Sequence, residues 1–542
     1  MYNVLTEVSS LDKIRSFADL SSPVKRFTLL GGEHYAYQIA VSGSDAIFDV
    51  KVVSPLEKYI KLYAVKSVPM DRPCYIGSQD SDLFISRTPC LMPDLLEPME
   101  YSNNMLKHYD VISAVWVDIT LPKGFPAGEY PIKVEFTSLD IKWHSSPDEA
   151  KTSLVTATVL PYSIPERTTL FTQWFHTDSI ASYYNVPVYS DRHWELIDKF
   201  MAEAAHDGIN MILTPVITPP LDTCPGMHRP LTQLVRITKE GEKYSFDFSL
   251  LGRWIALCKK NNIPHLEISH LFSQWGLEFT PSIWVNDSYL FDWGVKSDDP
   301  SYKSFLEQFL PQLREYLKSE DMYDGAYFHI SDEPQSDHLE AYTNAKRLIK
   351  SILPDCRIMD ALSHADFLDG DVMDIPVPSL DAVESFLARD ISERWVYYCC
   401  GAGRRSNRYI SMQSARTRIL GLQMYKYGIK GFLHWGYNFY YSGLSMYKIN
   451  PFVTTSADKF FPSGDPFSVY PGADGPLPSL RALVFSDAFS DIELCRLLEK
   501  KIGKEAVLAA IDSVLGYELT FDNYPKAAHV IPEITEKLKS ML

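Results

Sequence analysis

The chain of 542 residues predicts a multidomain protein: an N-terminal antiparallel β-sandwich, a (β/α)8 barrel of the TIM type, and a C-terminal helical extension. Three observations predict this. As far as about residue 165 the sequence is a series of short alternating apolar runs broken by turn residues. Beyond it, strand-like and helix-like segments alternate through about 270 residues, with eight strand candidates, the number and length of a closed parallel barrel. No Gly-rich phosphate loop follows the first of these strands, which counts against an open doubly wound sheet. The expected divisions are 1–165 for the sandwich, 166–503 for the barrel with its closing helix, and 504–542 for the helical tail.

In the first part the alternating runs are Ala36 to Val41, Ile47 to Val53, Tyr59 to Val65, Ile112 to Ile119, Ile132 to Phe136 and Ser153 to Leu160. Period-two alternation means one buried face and one wet face. Turn residues such as Pro122-Lys123-Gly124 separate the runs. The eight barrel strands are expected at Leu170 to His176, Asn210 to Thr214, His265 to His270, Gly325 to Ile330, Arg357 to Asp360, Asp374 to Val377, Arg394 to Cys399 and Gly431 to Trp435. Amphipathic helices are expected at His193 to Ala205, Leu250 to Asn261, Tyr302 to Lys318, His338 to Ile352, Met412 to Tyr427 and, shorter, Asp381 to Ile391. Ser363 to Val372 shows little helical pattern. A long loop from Tyr437 to Pro478 precedes a helix over Ser479 to Gly503 and two short helical patterns split by Pro525 and Pro532.

Composition narrows the function classes. The net charge of −17 repels phosphate backbones, so nucleic acid is not an expected partner. No window approaches twenty consecutive apolar residues, so no membrane insertion is expected. Met1 to Ser10 lacks a basic stretch followed by an apolar run, and a cytoplasmic address is the default expectation for the chain as given. The eight cysteines form no C-x-x-C pair and no Cys/His cluster at zinc-site spacing, so neither a structural metal nor a disulfide framework is expected, and no cofactor. Cys399 and Cys400 read as buried thiols. Aromatic residues make up 13% of the chain, which suits either sugar stacking or simple core packing.

In such a barrel the C-terminal ends of the strands line the active site. There the sequence places Trp174, Phe175, His176 and Asp178 after the first strand, then Thr214 and Pro215. Ser269, His270, Gln274 and Trp275 follow the third strand and His329-Ile330-Ser331-Asp332-Glu333-Pro334 the fourth. Asp360 and Ser363 follow the fifth, Tyr397 and Tyr398 the seventh, and His434, Trp435, Tyr437 and Asn438 the eighth. An Asp-Glu dipeptide alone reads as a solvated turn or helix start. Here an apolar strand runs straight into it at the catalytic rim. Two carboxyls are the usual equipment for glycoside hydrolysis, and crowding raises the pKa of one of them. Neighbouring strand residues point to opposite faces, so the backbone must leave strand geometry at Asp332 for both groups to reach one substrate. Adjacent carboxyls suit substrate assistance, in which a 2-acetamido oxygen attacks the anomeric carbon.

The run YFHISDEP (327–334) resembles the catalytic strand of glycoside hydrolase family 123 and its uncharacterised relatives. So do QWFHTDSIASYYNVPV (173–188), HDGINMILTPVITPPLDT (206–223), EISHLFSQWG (267–276), FLHWGYNFYYS (432–442), GDPFSVYPGADG (464–475) and VWVDITLPKGFPAGEYPIKV (115–134) for their respective strands and loops. The resemblance implies a β-sandwich followed by a (β/α)8 barrel and a retaining exo-β-N-acetylgalactosaminidase that forms an oxazoline. Carried over, Glu333 becomes the general acid/base and Asp332 the residue that orients the acetamide. Trp435, Tyr437, Asn438 and Tyr398 become sugar-subsite candidates, with Trp174, His176, His270 and Trp275 at the same rim. One departure is visible in SLRALVFSDAFSDIELCRLLE (479–499), where Val484 and Phe485 stand at positions often polar in the relatives. Three alternatives stay open: a β-N-acetylglucosaminidase, a conventional retaining β-glycosidase with Asp360 as nucleophile, and a non-catalytic glycan-binding protein. The expected partner is a glycan or glycoconjugate, with oligomeric state unassigned.

Overall fold

The computed structural model describes residues 4–21, 23–75, 84–139, 151–370 and 372–542. Ten strands build the N-terminal part: β1 (Val4–Ser9), β2 (Arg26–Gly31), β3 (His34–Ser42), β4 (Ala46–Val53), β5 (Ile60–Met70), β6 (Cys90–Pro98), β7 (Met105–His108), β8 (Ile112–Thr120), β9 (Gly128–Ser138) and β10 (Lys151–Ser163). They form two five-stranded sheets, ordered β1-β3-β8-β5-β6 and β2-β10-β9-β4-β7. Among the described residues all pairings of these sheets are antiparallel except β2 with β10. Alternate residues meet between the sheets, among them Tyr37, Ile39 and Val41 of β3 against Ile132, Val134 and Phe136 of β9. This is the period-two burial that the sequence displays. Four strands, β1, β2, β6 and β7, fall outside the predicted runs. β7 has four residues, and the edge strand β6 contains Pro93, which pairs beside a register shift in β5, where a ladder tolerates proline.

The second part begins with β11 (Leu170–Gln173), α1 (Thr177–Tyr184), α2 (Asp191–His206) and β12 (Met211–Thr214). An unpredicted hairpin, β13 (Arg236–Glu240) with β14 (Lys243–Asp247), precedes α3 (Ser249–Lys260) and β15 (His265–Ile268). A second one, β16 (Ile283–Val285) with β17 (Ser288–Phe291), precedes α4 (Pro300–Ser319). There follow β18 (Ala326–Phe328), α5 (Leu339–Ile352), β19 (Arg357–Leu362), β20 (Ile375–Pro378), α6 (Val383–Leu387), β21 (Trp395–Tyr397), α7 (Ala415–Arg418), α8 (Leu420–Tyr427) and β22 (Gly431–His434). The connection after β19 holds only a short 3-10 turn, Ala365–Leu368. Eight strands run parallel in the order β20-β19-β18-β15-β12-β11-β22-β21, and a parallel bridge from Ser379 to Tyr397 joins the two ends into a barrel. Each of the eight predicted strands is present, shorter than expected at the C-terminal end of several.

The two faces of the barrel strands are distinct. Met211, Leu213, Tyr327, Met359, Ile375, Val377, Trp395, Tyr397 and Leu433 form the inner cluster, whereas Phe171, Ile212, Leu266, Phe328, Ile358, Val396, Tyr398 and Phe432 pack outward against the helices. A Cβ on Gly431 would sit 2.1 Å from the Trp395 ring, so glycine there lets that indole fill the barrel interior.

After β22 come the hairpin β23 (Val469–Gly472) with β24 (Gly475–Pro478), then α9 (Leu480–Ile502), α10 (Lys504–Leu515) and α11 (Val530–Lys539). Val484 and Phe485 lie on the buried side of α9, with Phe485 against Phe171, Tyr398 and Phe432 of the barrel wall. The departure from the relatives therefore falls on helix–barrel packing, away from the rim. The tail also reaches the sandwich: Glu536 accepts from the N–H and hydroxyl of Thr28 at 2.8 and 2.6 Å, and Lys539 pairs with Glu33 at 2.6 Å.

Sandwich and barrel share buried charge. Asp94 of β6 accepts two bonds from Arg481 of α9, at 2.8 and 2.9 Å, and one from the Tyr470 hydroxyl at 2.6 Å. Asp71, just past β5, accepts from the hydroxyls of Thr454, Ser456 and Ser463 and from the N–H of Thr455. That carboxylate organises the loop that carries Phe461 to the rim of the barrel.

Candidate active site

The peptide after β18 departs from strand geometry within a few residues. The Ile330 N–H donates to Asp360, the Ser331 hydroxyl to the Ser273 carbonyl, and the Glu333 N–H to the Ala361 carbonyl at 3.1 Å. The Asp332 carbonyl accepts from the Trp275 N–H at 3.1 Å. Glu333 sits at φ +43°, in the left-handed region that non-glycine residues avoid. The departure from strand geometry expected at Asp332 comes earlier, after Phe328, and with Glu333 in the left-handed region both carboxyls reach one pocket. Asp222 (φ +40°) and Trp275 (φ +54°) on neighbouring loops share this conformation and line the same pocket. Three such residues converging at one rim mark a site where the surrounding bonds hold backbone strain.

An open pocket is lined by Trp174, Leu221, Asp222, Trp275, Asp332, Glu333, Ala361, Tyr397, Cys399, Cys400, Leu433, Trp435 and Phe461. Its apolar walls with a few convergent carboxyls suit a small ligand. The Tyr397 hydroxyl donates to Glu333 Oε1. Burial, then the Glu333 charge, raises the Tyr397 phenol well above its usual range, so it stays a donor. The Asp332 carboxyl is raised well above the ordinary carboxylate range, first by burial and then by Glu333. It has no hydrogen-bond partner among the described residues. Burial also lifts Asp222 to about 6, against the pull of Arg229 and a bond from the Leu444 N–H at 3.0 Å.

Beneath the pocket lies a compensated charge network. His329 Nε2 bonds Glu267 at 2.7 Å and Nδ1 bonds Asp360 at 2.9 Å. Burial opposes its charge, yet the two carboxylates hold its pKa up to about 10, so it donates from both nitrogens. Tyr342 donates to Asp360 at 2.6 Å, and Thr172 and the Trp174 indole donate to Glu267. His270 stacks on His329 with centroids 4.2 Å apart, and burial keeps it neutral. His270, His329 and Asp360 are close enough to share an ion, but both His329 nitrogens are committed to carboxylates and offer no lone pair.

Of the sequence-predicted residues, Asp332, Glu333, Trp174, Trp275 and Trp435 come together in the pocket; Trp275 is 45% exposed at its mouth. The others sit behind it. Tyr398 points outward against Phe432 and Phe485, and its neighbour Tyr397 lines the pocket, as strand alternation requires. Tyr437 is fully buried and stacked on Phe175. Asn438 clasps the backbone of His176, accepting its N–H at 2.8 Å and donating to its carbonyl at 3.2 Å. His176 in turn donates from Nε2 to the Trp435 carbonyl at 2.8 Å while Nδ1 accepts from Arg229. Burial and Arg229 lower His176 to about 3, which keeps it neutral for both bonds. His270 lies one layer down, beneath Trp174. Asp360, the candidate nucleophile, is fully buried with all its bonds inside the network and does not line the pocket.

Cys399 and Cys400, expected as buried thiols, are half-buried and form part of the pocket wall. Asp222, Phe461 and the subsite role of Tyr397 escaped the sequence reading. The alternation Trp395, Tyr397, Cys399 carried a signal for the last of these; Asp222 lies on a long loop with no periodicity to mark it.

The catalytic-domain profile of glycoside hydrolase family 123 matches residues 174–498. A search of curated protein sequences returns no match. Among solved structures, a family 123 glycoside hydrolase from Clostridium perfringens, described in a study of glycolipid glycan hydrolysis, superposes with a TM-score of 0.72 at 16% identity. The match covers 100% of this chain and 97% of that one. A family 5 mannosidase from Rhizomucor miehei reaches a TM-score of 0.32 at 12% identity, over 60% of this chain and 94% of that one. Among the described residues no helix is long and apolar enough to cross a membrane. With the profile spanning the barrel and the paired carboxyls inside its match, the chain belongs to glycoside hydrolase family 123 and is a glycoside hydrolase.

Proposed function

We propose that this hydrolase is a retaining exo-β-N-acetylgalactosaminidase that removes terminal β-linked N-acetylgalactosamine by substrate assistance. One observation carries the reading: Asp332 and Glu333 open side by side into one pocket, while Asp360 is sealed beneath it. Consecutive carboxyls cannot easily flank a sugar on opposite faces, as an ordinary two-carboxylate scheme requires. They can serve a substrate that brings its own nucleophile. The adjacent carboxyls share one proton, which burial favours on Asp332 before substrate binds. With the acetamide N–H seated on Asp332 the proton passes to Glu333, which gives it to the glycosidic oxygen as the bond to the anomeric carbon breaks. The acetamide oxygen attacks that carbon from the other face, and the Asp332 carboxylate accepts the acetamide N–H, orienting the group and stabilising the oxazolinium. Glu333 then takes a proton from the water that reopens the ring, and two inversions give retention. Trp174, Trp275 and Trp435 supply aromatic walls for the pyranose. The galacto configuration is supported by the family resemblance.

A second reading is favoured by Asp222, a third carboxyl on the same pocket. It replaces Asp360 as the candidate enzyme nucleophile of a conventional retaining glycosidase. Aryl β-glycosides of N-acetylgalactosamine, N-acetylglucosamine, galactose and glucose separate the readings. We expect 2-acetamido substrates to be cleaved at least about a hundredfold faster than 2-hydroxy ones, N-acetylgalactosamine fastest, with inhibition by a thiazoline mimic of the oxazoline. Equal rates on galactose and N-acetylgalactosamine would transfer the nucleophile to Asp222. Binding of glycan with no sugar release would overturn hydrolysis of these substrates.

A further inference from the structure

At the opposite end of the barrel, the C-terminus of α2 carries a second cluster that the glycosidase chemistry does not use. The sequence Glu203-Ala204-Ala205-His206-Asp207 closes the helix. Asp207 is its C-cap, with its N–H bonded to the Glu203 carbonyl at 2.8 Å, so Glu203, His206 and Asp207 lie one turn apart on one face. One ligand atom from each lies within 4.8 Å of the others.

Asp207 is 1% exposed, and neither of its carboxylate oxygens has a hydrogen-bond partner among the described residues. A buried carboxylate left in that state costs several kcal/mol. The neighbouring cations relieve it only in part: His206 forms a loose ion pair with it and His34 acts on it through space. His34 is bonded to Asp118 at 2.7 Å and Asp487 at 2.6 Å, and Lys61 acts on Glu203 only through space. His206 Nδ1 stands 3.8 Å from Asp207 Oδ1, too far for a hydrogen bond. It is near the ~3.4 Å that separates two donors on one tetrahedral ion with bonds of about 2.1 Å. The carbonyls at a helix C-terminus add partial negative charge at the same place. His206 and Ala205 border an open crevice between sandwich and barrel, which gives an ion a way in and a place for water ligands.

We propose that Glu203, His206 and Asp207 bind one first-row divalent cation of the zinc class at the base of the barrel. Two hard carboxylates and one borderline imidazole fall within zinc's ligand set, and the imidazole disfavours magnesium and calcium. The sequence criterion of Cys/His spacing misses such a site because its ligands are mainly oxygen. The ion would neutralise the Asp207 carboxylate and tie α2 to its C-terminal turn, remote from the pocket carboxyls.

The test is calorimetric titration of zinc chloride into the full-length protein after chelator treatment and buffer exchange, with a thermal melt read in parallel. The expected result is one saturable equivalent, a rise in melting temperature with zinc, and affinity weakened at least about tenfold in His206→Ala. The His206 side chain is 34% exposed, so that variant leaves the core intact; Asp207→Asn provides the second variant. No saturable binding by the wild type would overturn the proposal. So would binding of undiminished affinity in both variants, which would put the ion elsewhere.

Discussion

Glu267 and Asp360 lie inside the barrel with all four carboxylate oxygens engaged, by His329, Tyr342, Thr172, the Trp174 indole and the Ile330 N–H. Asp332 and Glu333, a few residues beyond His329, share a single described side-chain donor, the Tyr397 hydroxyl, which Glu333 takes. The first set is neutralised in part by a fixed imidazolium, and the second is left facing open space. Buried carboxylates are costly unless paired and bonded. The fold meets that requirement where the acids hold the barrel floor and relaxes it where they face a ligand. The difference teaches that pocket acids are recognised by missing partners. A sequence cannot display missing partners, because both sets look like Asp and Glu at strand ends.

The largest effect expected from breaking this contrast is on the compensated side. His329→Leu leaves Glu267 and Asp360 buried without their shared cation and should cost about 3–5 kcal/mol of stability by denaturant unfolding. Its pH dependence has a definite sign. The folded pKa of about 10 lies above the ordinary 6.5, so the histidine's contribution is fully present below 6.5 and is lost as pH rises through 10. The gap between wild type and variant should therefore narrow across that window; a gap constant with pH would mean that packing, not charge, holds His329 in place. Next comes Glu333→Gln on the uncompensated side. It should lower turnover of an unactivated glycoside at least about a hundredfold, or ~2.7 kcal/mol, with the melting temperature unchanged. Near-normal turnover would remove Glu333 from the acid/base role.

Much of the architecture was legible because it rests on periodicity. Each of the eight barrel strands is a short apolar run, and the sandwich strands with clean alternation, such as β9 and β10, were visible for the same reason. What lacked periodicity was lost: the edge strand β6 with its prolines, the four-residue β7, and the two hairpins that interrupt the barrel loops. At the site, the pair Asp332-Glu333 was legible from its position after the fourth strand. Tyr397 and Tyr398 were separable in principle by strand alternation, but both sit at a strand end, where the register cannot be counted from the sequence with certainty of one residue. Tyr437 and Asn438 look like rim residues and instead brace the first loop from behind. Asp222 and Phe461 depend on where long loops fold back, and Phe461 also on the sandwich residue Asp71.

The smallest expected effect is the sharpest test of the contrast, because it predicts a gain. The folded pKa of Asp332 is raised by burial and by Glu333. Protonation of such a group favours the folded state: the contribution is fully present below the unfolded carboxyl value of 3.8 and is lost as pH rises through the folded one. Above that window the ionised Asp332 carries its full cost, with no donor to offset it. Asp332→Asn removes the ionisation while keeping the shape. The variant should melt with the wild type in acid and above it at mildly alkaline pH, while losing affinity for a thiazoline inhibitor, whose ring nitrogen, protonated as the thiazolinium, pairs with the carboxylate. The two His329 carboxylates should behave in the opposite sense, since Asp360→Asn removes a partner from a buried imidazolium and can only destabilise. If Asp332→Asn melts below the wild type at alkaline pH, Asp332 is a compensated structural acid like Asp360, and the distinction between the two sets fails.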